Sequence, residues 1–138
     1  MDQPDKIFTV EEANQLLSQV APLAQQLQGL HESILNTNHQ LDEGVQKLSQ
    51  GNGFPLQEIR KRLAELTQHQ LHLLEAFQSA LQQLESLGCV LKDLSVGLVD
   101  FYGMRNDELV FLCWKLGEER IRFWHHLQDG FAGRQPLD

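Results

Sequence analysis

Apolar residues first return at alternating steps of four and three: Leu16, Val20, Leu23, Leu27, Leu30, Ile34, Thr37, Leu41, Gly44 and Leu48. Only Thr37 and Gly44 depart from the type. A second series runs Leu56, Ile59, Leu63, Leu66, Gln70, Leu73, Phe77, Ala80, Leu84, Leu87. A period of about 3.5 residues sustained this long predicts a coiled-coil seam on each of two helices. Their ends are marked. Thr9 and Glu12 form a T-x-x-E capping box, with Phe8 before it placed to staple onto Ala13. Gly51-Asn52-Gly53 is turn chemistry, Pro55 suits a first helical turn, and Gly88 suits a C-cap. A short turn forces the helices antiparallel, with arms of about 50–60 Å. Setting Leu48 against Leu56 brings Leu30 to Leu73 and Leu16 to Leu87. One flank of the seam, with Leu17, Ala24, Leu74, Leu81 and His31, is then apolar near the termini and polar at Asn38 and Thr67. An apolar flank at one end needs a cover.

After Gly88 the period changes to two. Leu98–Tyr102, Glu108–Trp114 and Arg120–His125 read as strands of a small antiparallel meander. The turns fall at 103–107 and 115–119. The predicted fold is α+β: a long antiparallel two-helix coiled-coil hairpin, then a three-stranded meander packed on its base. Residues 1–138 are read as a single domain, with the hairpin at 9–88 and the β module with its C-terminal loop at 89–138.

Pairing about the two loops sets Val99 opposite Phe111 and Phe111 opposite Phe123. One face then holds Val99, Phe101, Leu109, Phe111, Cys113, Ile121, Phe123 and, at its rim, His125, and should cover the apolar helical flank. The other carries Asp100, Tyr102, Glu108, Val110, Trp114, Arg120, Arg122 and Trp124. Because the side-chain period is two, a one-residue slip would exchange the faces. Trp, Tyr and Arg on a face the core does not need form a binding-type surface. Asp100, Trp114, Arg122, Trp124 and Arg134 are its candidate residues.

Composition narrows the function classes. Seven of the ten aromatics lie between Phe101 and Phe131. The net charge of -8 disfavours nucleic acid, which requires a basic footprint. No apolar run approaches a membrane span. The acidic start has no signal-peptide pattern, and two isolated cysteines fit a reduced, cytoplasmic setting. No phosphate-binding loop is present, and no organic cofactor is expected. Of the six histidines, His31, His69 and His72 lack the Glu-x-x-His spacing of a bundle-core site. Toward the C-terminus, Asp100, Glu118, His125 and Asp129 offer oxygen and nitrogen donors for a divalent metal. Cys113, in an apolar row, reads as core rather than nucleophile.

The strings Gly97-Leu98-Val99-Asp100-Phe101, Leu112-Cys113-Trp114, Leu116-Gly117-Glu118, Trp124-His125 and Gly130-Phe131-Ala132-Gly133-Arg134-Gln135-Pro136-Leu137 stand out. With the opening Phe8-Thr9-Val10-Glu11-Glu12-Ala13-Asn14, they resemble the prokaryotic family known as domain of unknown function 2203. The resemblance covers essentially the whole chain. It implies a bacterial, cytoplasmic protein and no assigned activity. It directs attention to Asp100, Cys113, Trp114, Glu118, His125, Asp129 and Arg134.

Two function classes follow. One is an interaction or scaffold module that binds a protein partner, or a second copy, through the Trp/Arg/Asp face. The other is a small metal-binding protein or enzyme built on Asp100, Glu118, His125, Asp129 and Arg134.

Overall fold

The computed structural model describes residues 4–51, 53 and 55–138. Its elements are α1 (Val10–Gln50), α2 (Leu56–Ser86), β1 (Cys89–Asp93), β2 (Leu98–Arg105), β3 (Glu108–Lys115), β4 (Phe123–His126), a 3-10 turn (Phe131–Gly133) and β5 (Gln135–Pro136). The class is α+β, two long helices with an antiparallel sheet. Its described residues form two compact units: Gly29–Ser79, and the residues through Gln28 with Ala80–Asp138.

The helices start and stop for local reasons. The Glu12 amide donates to Thr9 Oγ1 at 3.1 Å, and the Thr9 amide donates to Glu12 Oε1 at 2.9 Å. This is the reciprocal box that satisfies first-turn amides. Phe8 is buried, its ring edge-on to Phe101 at 5.4 Å between centroids. The Pro55 carbonyl accepts the Ile59 amide, so α2 opens at the expected proline. Gly88 has φ +97°, the left-handed conformation that ends a helix most easily without a Cβ. Of the predicted turn, Asn52 lies outside the described residues, while Gly51 and Gly53 both have positive φ.

Within Gly29–Ser79 the off-type seam positions have physical roles. Thr37 is buried, and its hydroxyl donates to the Ser33 carbonyl at 2.8 Å. Gln70 is buried and donates across the seam to the Ile34 carbonyl (3.1 Å) and Asn38 Oδ1 (2.7 Å). Gly44 leaves the space that the Leu63 side chain fills. A polar residue at one seam position fixes register because a shifted alignment would strand its donors.

In the other unit the sheet order is β1-β2-β3-β4-β5, every neighbour antiparallel. The meander is as expected, but it has five strands rather than three. β1 follows directly on Gly88, and β5 returns from the C-terminal loop to pair with β4. Residues 120–122, expected as strand, precede β4.

The β2–β3 register also differs from expectation. β2 runs on to Arg105, which pairs with Glu108, leaving a two-residue turn at Asn106-Asp107. Both turn residues have positive φ, 51° and 64°. This is the requirement of a tight hairpin turn whose twist matches the strands, and Asn and Asp meet it better than other non-glycine residues. Asp100 therefore pairs with Cys113, and Phe101 with Leu112. The alignment differs from the expected one by three residues, an odd number, so β2 is inverted relative to β3 and β4. One face carries Val99, Phe101, Leu112, Trp114 and Trp124, all buried. The first part of α1 and the end of α2 bond to the sheet and its loops. Asn14 Oδ1 accepts the Ile121 amide at 2.7 Å, Gln28 donates to the Leu94 carbonyl at 3.0 Å, and Cys89 Sγ donates to the Leu84 carbonyl at 3.3 Å. Fully burying one such apolar side chain contributes about 1.5–3 kcal/mol.

Candidate metal centre

The second face brings Leu98, Asp100 and Tyr102 of β2 together with Phe111 and Cys113 of β3 and Phe123 and His125 of β4. Asp100 and His125 reach toward each other across β3, beside Cys113. Asp100 Oδ2 lies 2.9 Å from His125 Nε2. One donor atom from each of Asp100, Cys113 and His125 lies within 4.8 Å of the others, and all three side chains are buried.

Hydrogen bonding determines what the imidazole presents. His125 Nδ1 is 2.8 Å from the His126 carbonyl oxygen. A carbonyl can only accept, so Nδ1 carries a proton and Nε2 faces the carboxylate. With one proton between Nε2 and Oδ2, the pair is satisfied as either a neutral or an ionic couple. The other carboxylate oxygen, Asp100 Oδ1, is buried without a hydrogen bond. The neighbouring Cys113 thiol nevertheless acts on this carboxylate as a weak hydrogen-bond donor. Burial raises the Asp100 pKa from the usual carboxylate range, opposed chiefly by its attraction to His125. Burial and the neighbouring Asp100 push the Cys113 thiol up to about 12. At neutral pH it is a thiol, so it is no ready nucleophile.

The C-terminal segment closes over this face. Arg134 stacks on Phe123, 4.0 Å from its centroid, and its guanidinium donates to both Glu118 oxygens at 2.8 and 2.9 Å. Glu118 also accepts the Lys115 amide at 2.8 Å, and its carbonyl accepts Trp114 Nε1 at 2.9 Å. One acidic residue thus fixes both the β3–β4 connection and the tail. Beside them, a cleft of about 410 Å³ has Asp100 and His125 in its lining.

The family described as an uncharacterized conserved protein, DUF2203, matches residues 6–137. The chain belongs to that family. No curated protein and no solved structure matches it.

In this DUF2203 chain the singled-out residues part company. Asp100 and His125 converge, as an acid and a histidine would in a metal site. Glu118 is engaged by Arg134, and Asp129 lines the cleft rather than joining the three clustered donors. Cys113 is buried, as expected of a core thiol, and its sulfur is the third atom of the cluster. Its place beside Asp100 could have been read from Asn106-Asp107, had that dipeptide been taken as a two-residue hairpin turn. The expected outward face of Asp100, Trp114, Arg122 and Trp124 does not exist as a surface. Trp114 and Trp124 are buried on the opposite side of the sheet from Asp100, because of the odd register difference. Arg122 precedes β4 and is exposed. Arg134, a candidate either for the binding surface or for a carboxylate network fixing the tail, takes the second role in its pair with Glu118.

Proposed function

We propose that this protein binds a divalent transition metal through Asp100, Cys113 and His125. The observation that carries the reading is the buried convergence of one oxygen, one sulfur and one nitrogen donor. The environment of the histidine supports it. A histidine whose Nδ1–H is held by a carbonyl offers Nε2 as a ligand, the usual outer-shell arrangement. Three protein ligands of mixed N, O and S type, with one position open, match zinc sites that bind an exchangeable group. The metal would replace the proton between Asp100 and His125 and displace the Cys113 proton, so binding releases protons. No helix among the described residues is long and apolar enough to cross a membrane. Two buried free thiols accord with a reducing, cytoplasmic setting.

Metal analysis of protein purified without chelator, followed by Co²⁺ titration, tests the reading. The expected result is one bound ion per chain and a thiolate-to-cobalt charge-transfer band. That band disappears in Cys113→Ser. His125→Ala and Asp100→Asn should weaken binding by more than the roughly 10–100-fold typical of outer-shell changes. A wild-type protein that takes up neither Zn²⁺ nor Co²⁺ would overturn the reading and leave the cluster a structural hydrogen bond.

Partner binding draws support from elsewhere. Within Gly29–Ser79 the helices expose Leu35, Val45, Leu56, Leu71 and Leu74, each by 44–54%. Light scattering of wild type and Leu71→Glu/Leu74→Glu checks self-association. A monomer mass for both would count against self-association through Leu71 and Leu74.

A further inference from the structure

Lys92 occupies an unusual position beside the Asp100–Cys113–His125 cluster. β1 pairs with β2 at Leu91 and Val99, and the next pair is Asp93 with Leu98. Lys92 is therefore the extra residue of a β-bulge. A bulge bends its strand and re-aims a side chain, and bulges are over-represented beside functional sites. The Lys92 ammonium lies 4.1 Å from the centroid of Phe111 on β3. To reach it, the side chain spans β2 on the face that holds Asp100. The Phe111 ring is in turn 5.4 Å from the His125 ring. Among the described residues, no carboxylate lies within ion-pair distance of Lys92, and its charge acts at longer range on Asp100.

Lys92, Asp100 and His125 all line the cleft of about 410 Å³, a volume within the small-molecule range. Its apolar wall comes from Leu98, Leu127 and Phe131. Two more carboxylates stand on its lining. Asp93 is occupied by the Ser95 hydroxyl at 2.6 Å and amide at 3.0 Å, and Asp129 packs against Gly133. A divalent ion held by one carboxylate, one thiolate and a neutral imidazole has no net charge. The Lys92 ammonium is then the positive charge available to an incoming ligand.

We propose that this cleft binds a small organic carboxylate. One oxygen takes the coordination position left open by Asp100, Cys113 and His125, and the other pairs with Lys92. The hydrocarbon part lies against Leu98, Leu127 and Phe131, which favours a carboxylate over an inorganic oxyanion. This inference rests on the metal-binding reading.

The test uses the full-length, Co²⁺-loaded protein and its visible cobalt bands. Acetate, propionate and inorganic phosphate are titrated separately into wild type and Lys92→Gln. Both carboxylates should shift the bands saturably, propionate at lower concentration. Lys92→Gln should raise their Kd by about fivefold or more, the loss of roughly one charge-assisted contact, while the variant still takes up one Co²⁺. If Co²⁺ binds but carboxylates leave the bands unmoved, or act equally on Lys92→Gln, this proposal fails and the metal site stands. Phosphate binding more tightly than propionate overturns the ligand class. Failure to bind Co²⁺ overturns both readings.

Discussion

The two compact units bury polar side chains in different ways. Among the described residues of Gly29–Ser79, the buried polar ones are Thr37 and Gln70, both neutral. Thr37 bonds to its own helix, and Gln70 to an opposing carbonyl and to Asn38. In the sheet unit they are Asp100 and His125, both ionisable, bonded to each other. A neutral amide in a seam costs little when bonded, and it penalises the wrong register. An ionisable pair away from water is expensive, and replacing it with apolar groups is often neutral or stabilising. The contrast teaches where to look for chemistry: the helices spend buried polarity on alignment, while the sheet holds a donor cluster that alignment does not require.

The sharpest test of the sheet unit is Trp114→Ala. Trp114 is 2% exposed, on the face it shares with Val99, Phe101, Leu112 and Trp124. Truncation should destabilise by about 3–5 kcal/mol, read by denaturant unfolding. A loss under about 1 kcal/mol, typical of surface substitutions, would put the tryptophan back on an open face. Next comes Glu118→Ala. It removes both bonds to Arg134 and the acceptor for the Lys115 amide, at a cost of about 1–3 kcal/mol. Proteolysis should then start in the tail beyond His126, while the Gly29–Ser79 helices stay protected from hydrogen exchange.

The same experiments on the helices should give the opposite sign. Gln70→Leu removes a buried donor and its unpartnered Oε1, and leaves behind only Asn38, which is exposed, and a helical carbonyl. Stability should hold or rise, by up to about 1 kcal/mol, while register becomes less well defined. Spin labels on facing helical positions would show this as a broadened distance distribution. A marked loss of stability would mean that Gln70 supports the seam energetically as well as aligning it.

The smallest effect near neutrality is the pH response of Cys89. Burial pushes its thiol up from 9.0 to about 12. A group whose pKa is raised on folding contributes fully below the unfolded value and loses that contribution as pH rises toward the folded one. Stability should therefore be flat in this respect below pH about 9 and decline above it. Cys89→Ala should reduce the slope of the unfolding free energy between pH 9 and 11. An unchanged slope would place the alkaline sensitivity elsewhere.

Much of the fold was legible in the residues, and the reason is geometric. Seam positions such as Leu27 and Leu84 recur with the helical period, so a misjudged partner still leaves the same stripe facing inward. The capping box at Thr9 and the glycine at 88 act within one turn and depend on nothing distant. The strands are less forgiving. Reading 103–107 as a loop displaced β2 by three residues and turned Asp100 from the His125 side to the Trp124 side. β1 and β5 were missed because Cys89–Asp93 is short and half-exposed and Gln135–Pro136 has two residues. In the site, residue type alone marks Asp100 and His125 as chemistry-bearing, whereas Cys113 and Lys92 acquire their place only from the strand register and the bulge in β1.

The sequence by itself determined two long helices, their antiparallel pairing, and a meander that follows them, since periodicity, caps and turn residues act over a few positions. Only the tertiary structure decided which residues share each side of the sheet and which titratable groups come together. That decision rests on strand register, and register is set by one two-residue turn whose effect passes to every side chain along the strand.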